Sequence, residues 1–309
     1  MKKIYYWNDE SNFGDLLNIR TVPKILNCKM KWSSVEDADF LCIGSLMGHL
    51  IKKYSVFTLL KRIFFPYFII GVGSIDGIHE LAYQYIPRCN WLSVRGKLTR
   101  KILSEKFHQD MTNCLVGDLG ILTCDYYENL NVEKKYKFGI VLHYSQDIEK
   151  YSWLADKYNL ILIDVSNEVD IVIEQMLSSR CILSASLHGL IVADSFNIPN
   201  KWIGIADSDL LDKQNFKYLD YYSSLDIYNE QPLDFTESIL TDSMFNLISD
   251  SSAKRKEKIE LVKQNLRDCV MNFRTYKSYG LPYKEYWKNI WFCMKDSFKK
   301  YKKNLLRIS

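Results

Sequence analysis

Residues 181–196 read CILSASLHGLIVADSF, and this stretch decides the fold class of the chain. The apolar run Cys181–Ser184 predicts a buried strand, and the apolar spacing of Leu190–Phe196 predicts a helix that begins a few residues later. A strand that leads into a helix through a short turn is one unit of a parallel α/β sheet. The turn therefore lies where open α/β sheets bind ligands, at the carboxyl end of a strand and the N-terminus of a helix.

The same alternation of strands and helices recurs on both sides of this stretch. It is interrupted by a polar segment, residues 126–137 (YYENLNVEKKYK), which we interpret as a linker between two α/β domains. We therefore predict domains at residues 1–125 and 136–248, followed by helices over 249–309. The predicted strands outside the opening stretch are Lys3–Trp7, Asp39–Ile43, Pro66–Val72, Trp91–Val94, Phe138–His143, Leu160–Asp164 and Lys201–Ile205.

Composition excludes several classes of protein. Hydrophobic residues make up 47% and charged residues 25% of the 309 residues, which is typical of a globular protein and excludes disorder. The net charge of +4 is too small to predict nucleic-acid binding. The apolar run after Lys3 is too short for a signal peptide, and the apolar stretch 63–72 is too short for a membrane span. We therefore expect a cytoplasmic protein whose eight cysteines are reduced and which has no metal site.

The segment Asn12-Phe13-Gly14-Asp15 follows the first strand and opens a helix. Two interpretations of Asp15 remain open. It either caps the helix, or it faces the cleft with Asn12 and holds a hydroxyl-rich ligand.

Three further loops follow strands of the first domain. The loop with Gly73 and Ser74 lacks the third glycine of a dinucleotide fingerprint, so it is either a binding loop or a plain turn. Arg95 emerges at a strand end, where its guanidinium either binds a phosphate or carboxylate or forms a salt bridge. Asp118 lies in the loop 117–120 (GDLG), another cleft loop or turn.

His188 is the sharpest candidate for chemistry. Ser186 is placed to cap the helix, and His188 then lies among free backbone N–H groups. The helix dipole disfavours the imidazolium, but a bound dianion would favour it again. This predicts a general acid that is protonated only when ligand is present, and the alternative is a structural histidine at a helix start.

Together these segments resemble the polysaccharide pyruvyltransferase family, closest to its succinoglycan-type exopolysaccharide members. The shared motifs are NFGD (12–15), GVGS (71–74), SVRG (93–96), GDLG (117–120) and SLHGLIVADSF (186–196), with Ile198-Pro199 following. The resemblance implies a GT-B-like fold, with two Rossmann-like domains whose parallel sheets face a cleft, plus C-terminal helices. It implies transfer of the pyruvyl unit of phosphoenolpyruvate onto two hydroxyls of a sugar, in a surface polysaccharide or its lipid-linked repeat unit, with release of phosphate.

The resemblance also implies roles for residues. His188 would be the general acid and Asp15 a proton acceptor, with the first domain on the acceptor side and the second on the phosphoenolpyruvate side. Phosphoenolpyruvate is then a co-substrate, and no cofactor is required. The remaining residues expected to bind substrate are Arg95, Asn12, Gly73, Ser74, Ser186, Leu187, Gly189 and Asp118.

One residue departs from the family pattern, because many members carry Arg where this chain has Ser186. The anion would then be bound by Arg95, helped by Lys97, Arg180 or Lys201. The departure keeps open a non-catalytic, glycan-binding member, and the fold alone keeps open a glycosyltransferase that uses a nucleotide sugar.

The C-terminal segment has an apolar stripe at helical spacing, formed by Trp287, Trp291, Met294, Phe298, Tyr301, Leu305 and Ile308. From Lys295 to the end there are six basic residues and one acidic residue, so this segment carries the basic excess of the chain. The segment is either a terminal helix packed on the first domain or an amphipathic helix at an anionic membrane surface.

Overall fold

Two parallel sheets organise the chain in a computed structural model that describes residues 1–9, 11–51, 54–76, 86–128, 130–204 and 211–273, and residues 287, 290, 291 and 295. The expected two-domain α/β fold with helices after the sheets is confirmed. No disulfide joins the seven cysteines in these ranges. Among the helices of the described residues, none combines the length and the apolar character needed to cross a membrane.

The first sheet has six strands in the order β2-β1-β3-β4-β5-β6, and its strand pairs are parallel. These strands are β1 (Lys2–Tyr5), β2 (Met30–Trp32), β3 (Phe40–Leu41), β4 (Tyr67–Val72), β5 (Cys89–Val94) and β6 (Leu115–Val116). The helices between them are α1 (Phe13–Arg20), α2 (Val22–Ile25), α3 (Met47–Leu50), α4 (Val56–Phe64) and α5 (Lys97–Phe107).

The second sheet has five strands in the order β8-β7-β9-β10-β11, again with parallel pairs. They are β7 (Tyr136–Val141), β8 (Leu160–Ile163), β9 (Ser179–Ser184), β10 (Asn200–Gly204) and β11 (Leu233–Asp234). The remaining helices are α6 (Thr123–Tyr126), before this sheet, and α7 (Ser152–Lys157), α8 (Val169–Leu177), α9 (Leu187–Ser195), α10 (Leu211–Ser224) and α11 (Asp242–Asn272). Short 3₁₀ turns cover Leu119–Leu122, Ile148–Tyr151 and Glu237–Ile239.

Both sheets share one strand order. In each, the second strand of the domain lies outside the first, and the third, fourth and fifth follow on the other side. The winding direction therefore reverses between β1 and β3 and again between β7 and β9. In open α/β sheets the ligand crevice lies at this switch point, beyond the carboxyl ends of the strands.

The long helix α11 joins the two domains. Its Arg255 donates to Asp194 of α9 at 3.0 Å, and its Arg267 forms a bidentate pair with Asp125, next to the first domain, at 2.7 and 2.8 Å. Lys263 of the same helix donates to the Ser195 carbonyl at 2.8 Å. The helix begins at Asp242, earlier than the 249 boundary expected from the sequence.

The predicted strands agree with the observed ones to within a few residues. The sequence did not predict β2, β6 and β11, which are two or three residues long, or helices α4 and α10. The predicted linker is shortened at its end, because residues 136 and 137 belong to β7. The assignment of one domain to acceptor and the other to donor stays a prediction.

Candidate active site

A cavity of about 330 Å³ lies between the two switch points. Its walls come from the loops after β1, β3 and β4 of the first sheet and after β7, β8 and β9 of the second, together with α10. The lining residues are Trp7, Asn12, Asp15, Ser45, Leu46, His49, Ile75, His143, Tyr144, Val165, Ser186, Leu187, His188 and Lys217. Of the residues expected from the sequence, the structure brings together Asn12, Asp15, Ser186, Leu187 and His188.

Asn12 and Asp15 form the wall that the first domain contributes. Asn12 is the N-cap of α1, because its Oδ1 accepts from the Gly14 N–H at 3.1 Å. Its Nδ2 donates to Asp15 Oδ2 at 3.0 Å. Asn12, rather than Asp15, therefore caps the helix, and Asp15 lines the cavity. Burial raises the pKa of Asp15 to about 7, although Asn12 and the charge of Lys217 act to lower it.

His188 stands in the first turn of α9. Ser186 occupies the N-cap position but makes no side-chain capping bond within the described chain, so the predicted cap is wrong. The hydroxyl of Ser184 is used instead, accepting from the Ser186 N–H at 3.1 Å and donating to the Ser186 carbonyl at 2.7 Å. The first-turn N–H groups of α9 thus have no side-chain cap at the cavity wall, which suits an anionic ligand.

The environment of His188 keeps its imidazole neutral at neutral pH. Its Nε2 is buried and has no hydrogen-bond partner among the described residues. Burial, together with the charges of Arg95 and Lys217, lowers the pKa of His188 to about 3. A buried polar atom without a partner is costly, and a ligand that accepts or supplies a proton there would remove the cost.

Gly14 explains why the two domains can approach so closely here. A Cβ atom at Gly14 would lie 2.1 Å from His188 Nδ1. The missing side chain at Gly14 therefore makes room for the imidazole, and the NFGD and SLHG segments pack directly on each other.

Lys217 is the main site residue that the sequence did not reveal. It belongs to α10 and lines the same cavity as Asp15, whose charge has the opposite sign. Burial and the charge of Arg95 lower the pKa of Lys217 to about 8, although Asp15 acts to raise it. His143, also missed, lines the cavity after β7, and burial, with the charge of Lys217, lowers its pKa to about 4. His143 ends the predicted strand Phe138–His143, whereas Lys217 lies inside a helix that the sequence did not predict.

Arg95 lies behind the cavity rather than in it. Its side chain is fully buried, with Nε on Asp220 Oδ2 at 3.0 Å, Nη1 on Ser45 Oγ at 2.9 Å and Nη2 on the Ser74 carbonyl. Gly73 makes room for the guanidinium, since a Cβ there would lie 2.2 Å from Arg95 Cζ. The expected contact of Arg95, Gly73 and Ser74 with substrate is therefore not part of this arrangement, and Ser45 links Arg95 to the cavity instead.

The Arg95 network fixes the position of α10. Asp220, one turn after Lys217, accepts from the Thr99 N–H at 2.8 Å and from the Thr99 hydroxyl at 2.6 Å. Gly96 allows this approach, since a Cβ there would lie 1.7 Å from the Asp220 carbonyl oxygen. The first domain thus holds the helix that carries Lys217.

The remaining residues that were expected to bind substrate have structural roles. Asp118 is fully buried and caps the turn 119–122 through the Gly120 N–H at 2.8 Å, and burial raises its pKa to about 7. Gly189 packs against Ser184, where a Cβ would meet Oγ at 2.3 Å. The described residues that line the cavity do not include the expected helper cations Lys97, Arg180 and Lys201.

Comparisons with known proteins identify relatives of this chain. The polysaccharide pyruvyl transferase family profile matches residues 2–208. An uncharacterised protein of Acanthamoeba polyphaga mimivirus is 28% identical over 233 residues, covering 74% of this chain and 76% of that protein. The succinoglycan biosynthesis protein ExoV of Rhizobium meliloti is 28% identical over 232 residues, covering 73% of this chain but 65% of its own length.

Two solved structures are distantly similar. A protein of Klebsiella pneumoniae aligns with a TM-score of 0.41 and 12% identity, over 76% of this chain and 92% of that one. The wall teichoic acid polymerase TagF aligns with a TM-score of 0.42 and 13% identity, over 94% of this chain and 88% of that one.

Proposed function

The chain belongs to the polysaccharide pyruvyl transferase family, and on that basis we propose that it moves the pyruvyl unit of phosphoenolpyruvate onto two hydroxyls of a sugar. The sugar would belong to a surface polysaccharide or to its lipid-linked repeat unit, and phosphate would be released. The observation that carries the proposal is the cavity in which His188, Lys217 and Asp15 meet at the switch points of both sheets.

The donor would bind on the second-domain side. Phosphoenolpyruvate has a carboxylate and a phosphate, so its site needs cations and backbone N–H groups. The N-terminus of α9 offers the N–H groups, and Lys217, whose pKa is lowered to about 8 by burial, is still largely cationic at neutral pH. Lys217 thus fills the need for a cation that Ser186 leaves open.

His188 would act as the general acid. Its pKa is lowered to about 3, mainly by burial. A bound anion raises the pKa of a neighbouring imidazole, because it stabilises the charged form. His188 would then give its proton to the methylene carbon of the donor, leaving an oxocarbenium-like carbon, and a positioned acid contributes about 10²–10⁴-fold to such a step.

Asp15 would be the base on the acceptor side. Its pKa of about 7 leaves it partly ionised at neutral pH, as general bases require. One sugar hydroxyl attacks the cationic carbon and gives its proton to Asp15. Phosphate then leaves with the electrons of its bond to that carbon, and the second hydroxyl closes the ketal. Each sugar hydroxyl loses one proton. One of these protons restores the proton that His188 gave to the methyl group, and the other leaves with phosphate.

The aromatic residues at the cavity would hold the sugar. Trp7 and Tyr144 line it from opposite domains and are 38% and 50% exposed. Flat, partly exposed rings offer apolar faces to the C–H groups of a pyranose. Lipid-linked acceptors would bring the protein to the inner face of the membrane. Most of the C-terminal stripe predicted to bind there lies outside the described residues, namely Met294, Phe298, Tyr301, Leu305 and Ile308.

The test is release of phosphate from phosphoenolpyruvate in the presence of simple glycosides, with the ketal product identified by NMR. We expect His188→Ala to lose at least about a hundredfold in rate, since it removes the acid. The matched control is His108→Asn, at an exposed helix end with φ of 50°, where Asn keeps the left-handed backbone. An activity of His188→Ala within about threefold of the wild type would remove His188 from the mechanism.

A thermal-shift experiment separates this function from its rivals. Phosphoenolpyruvate should raise the melting temperature, whereas stabilisation by a nucleotide sugar alone would indicate a glycosyltransferase. Absence of ketal with every glycoside tested, together with glycan binding, would favour a non-catalytic member.

A further inference from the structure

The outer face of α4 is apolar, although it faces solvent. Phe57 and Phe64 are each 77% exposed, Phe65 is 65% exposed and Leu60 is 38% exposed. The inner face is apolar as well, because Leu59 and Ile63 are buried. A helix that is apolar on both sides is normally covered on both sides, and large exposed apolar patches mark surfaces of interaction.

The C-terminal segment extends this patch with tryptophans. Ile290 is buried against Tyr54, Leu59 and Ile63, so this part of the chain packs beside α4. Trp287 and Trp291 are 44% and 55% exposed. The ammonium of Lys295 lies 4.6 Å from the centre of the Trp291 ring.

The charges around α4 are mainly cationic. Arg62 is buried and donates to the carbonyls of Phe65 and Glu36 at 3.1 and 2.6 Å, and Arg88 donates to the Ile63 carbonyl at 2.6 Å. Lys61 pairs with Asp37 at 2.9 Å. The C-terminal end of α4 therefore carries guanidinium groups, and the sequence continues beyond Lys295 with five more basic residues.

We infer that the α4 face, formed by Phe57, Leu60, Phe64, Phe65, Trp287 and Trp291, docks on an anionic phospholipid bilayer. Phe and Trp with adjacent Lys and Arg are the chemistry of helices that lie in the interface of a membrane. The apolar side chains enter the headgroup region, and the exposed cations Arg88 and Lys295 bind the anionic lipids. A second copy of the chain would bring the same cations against each other, which disfavours that occupant.

Docking at this face would keep the cavity near the bilayer. His49 lines the cavity, and Ser55 caps α4 six residues later, which limits their separation to about 20 Å. If the proposed function is correct, a lipid-linked sugar could enter the cavity while its lipid stays in the membrane. The docking itself does not depend on that function.

The experiment is co-sedimentation of the full chain with phosphatidylcholine vesicles, with and without phosphatidylglycerol. The test variant is the double substitution Phe57→Ser and Phe64→Ser, and the matched control is Leu247→Ser on α11, where the side chain is 63% exposed. We expect the wild type and the control to bind vesicles that contain phosphatidylglycerol. We expect the double variant to bind them about a hundredfold more weakly, because it lacks two phenylalanines that the bilayer would otherwise bury.

Salt separates this face from the basic tail. Added salt screens the attraction of the tail but not the insertion of Phe and Trp, so residual wild-type binding at high salt should disappear in the double variant. Equal vesicle binding by wild type and double variant would overturn the proposal. Loss of a dimer in sedimentation equilibrium, with vesicle binding unchanged, would assign the face to a second copy.

The catalytic assay keeps the two proposals apart. Phosphate release with a soluble glycoside should be the same in the double variant and the wild type. Weak vesicle binding with normal activity therefore supports the docking face whether or not the acceptor in the cell is lipid-linked. Because the substituted side chains are exposed, melting temperatures within about 2 °C of the wild type will show that the variants fold.

Discussion

Replacing Lys217 with Met should stabilise the empty protein and weaken its binding of phosphoenolpyruvate. Burial lowers the pKa of Lys217 from 10.5 to about 8, so at neutral pH the folded protein holds this charge at a cost. The folded pKa is below the unfolded one. The cost is therefore present in full below pH 8, falls between pH 8 and 10.5, and is absent above that range.

The size of the stabilisation follows from that difference. A shift from 10.5 to about 8 corresponds to about 3 kcal/mol. The Lys217 side chain is partly exposed, so water reduces the penalty, and we expect a gain of about 1–2 kcal/mol. For a chain of this size each kcal/mol raises the melting temperature by about 2–4 °C.

The loss of affinity has the opposite sign. A hydrogen bond to a charged group contributes about 1.5–3 kcal/mol, so KM for phosphoenolpyruvate should rise by about 10- to 150-fold in Lys217→Met. The fall in kcat should be smaller, because the cation binds the donor before and during the reaction.

The assays are scanning fluorimetry at neutral pH with and without phosphoenolpyruvate, and steady-state kinetics of phosphate release. Lys157→Met is the control, since Lys157 is exposed and its pair with Glu237 lies on the surface. A less stable Lys217→Met protein with an unchanged KM would refute the assignment of Lys217 to the donor site.

Three further variants concern the cavity and the Arg95 network behind it. Because burial raises the pKa of Asp15 to about 7, kcat/KM should fall below that pH, and this limb should be absent from the residual activity of Asp15→Asn. The raised pKa also means that the stability contribution of Asp15 is full below its ordinary value of 3.8 and is lost as the pH rises through 7, so Asp15→Asn should be the more stable protein in urea at pH 8. Gly14→Ala places a Cβ 2.1 Å from the His188 ring and should cost about a hundredfold in kcat, whereas Gly48→Ala, which meets no atom within 4 Å, should keep full activity. Asp220→Asn leaves the buried charge of Arg95 without its carboxylate and should lower the unfolding free energy in urea by about 3–5 kcal/mol.

The strands that carry the cavity could be predicted because they are buried on both faces. Runs such as 67–72 (YFIIGV) and 136–141 (YKFGIV) end in loops, and the sequence shows where each one ends. The short edge strands were missed because two or three residues have no measurable alternation. Helix α4 was missed for a different reason: its apolar residues run directly into the apolar stretch 63–72 that continues into β4, which hides its amphipathic spacing.

The candidate site was predictable only where its residues follow a strand directly. Asn12, Asp15 and His188 do so, and the structure brings them together. Lys217 does not, because the position of α10 depends on the ion pair between Asp220 and Arg95, which are 125 residues apart in sequence. Arg95 was expected to bind a substrate anion because strand ends favour that role, but a buried carboxylate already holds its guanidinium.

The motif glycines explain why the sequence indicates the site better than it identifies the substrate contacts. Gly14 makes room for His188, Gly73 for Arg95 and Gly96 for Asp220. Each of these glycines therefore allows a close contact between two parts of the chain. Together these contacts hold the switch points of the two sheets close to each other. Lys217, the cation that lines the cavity, belongs to α10 and lies outside every motif. Position 186, which lies inside a motif, is a serine and supplies no cation. A search for the donor site in related sequences should therefore follow the helix after the fourth strand of the second domain as closely as the residues beside His188.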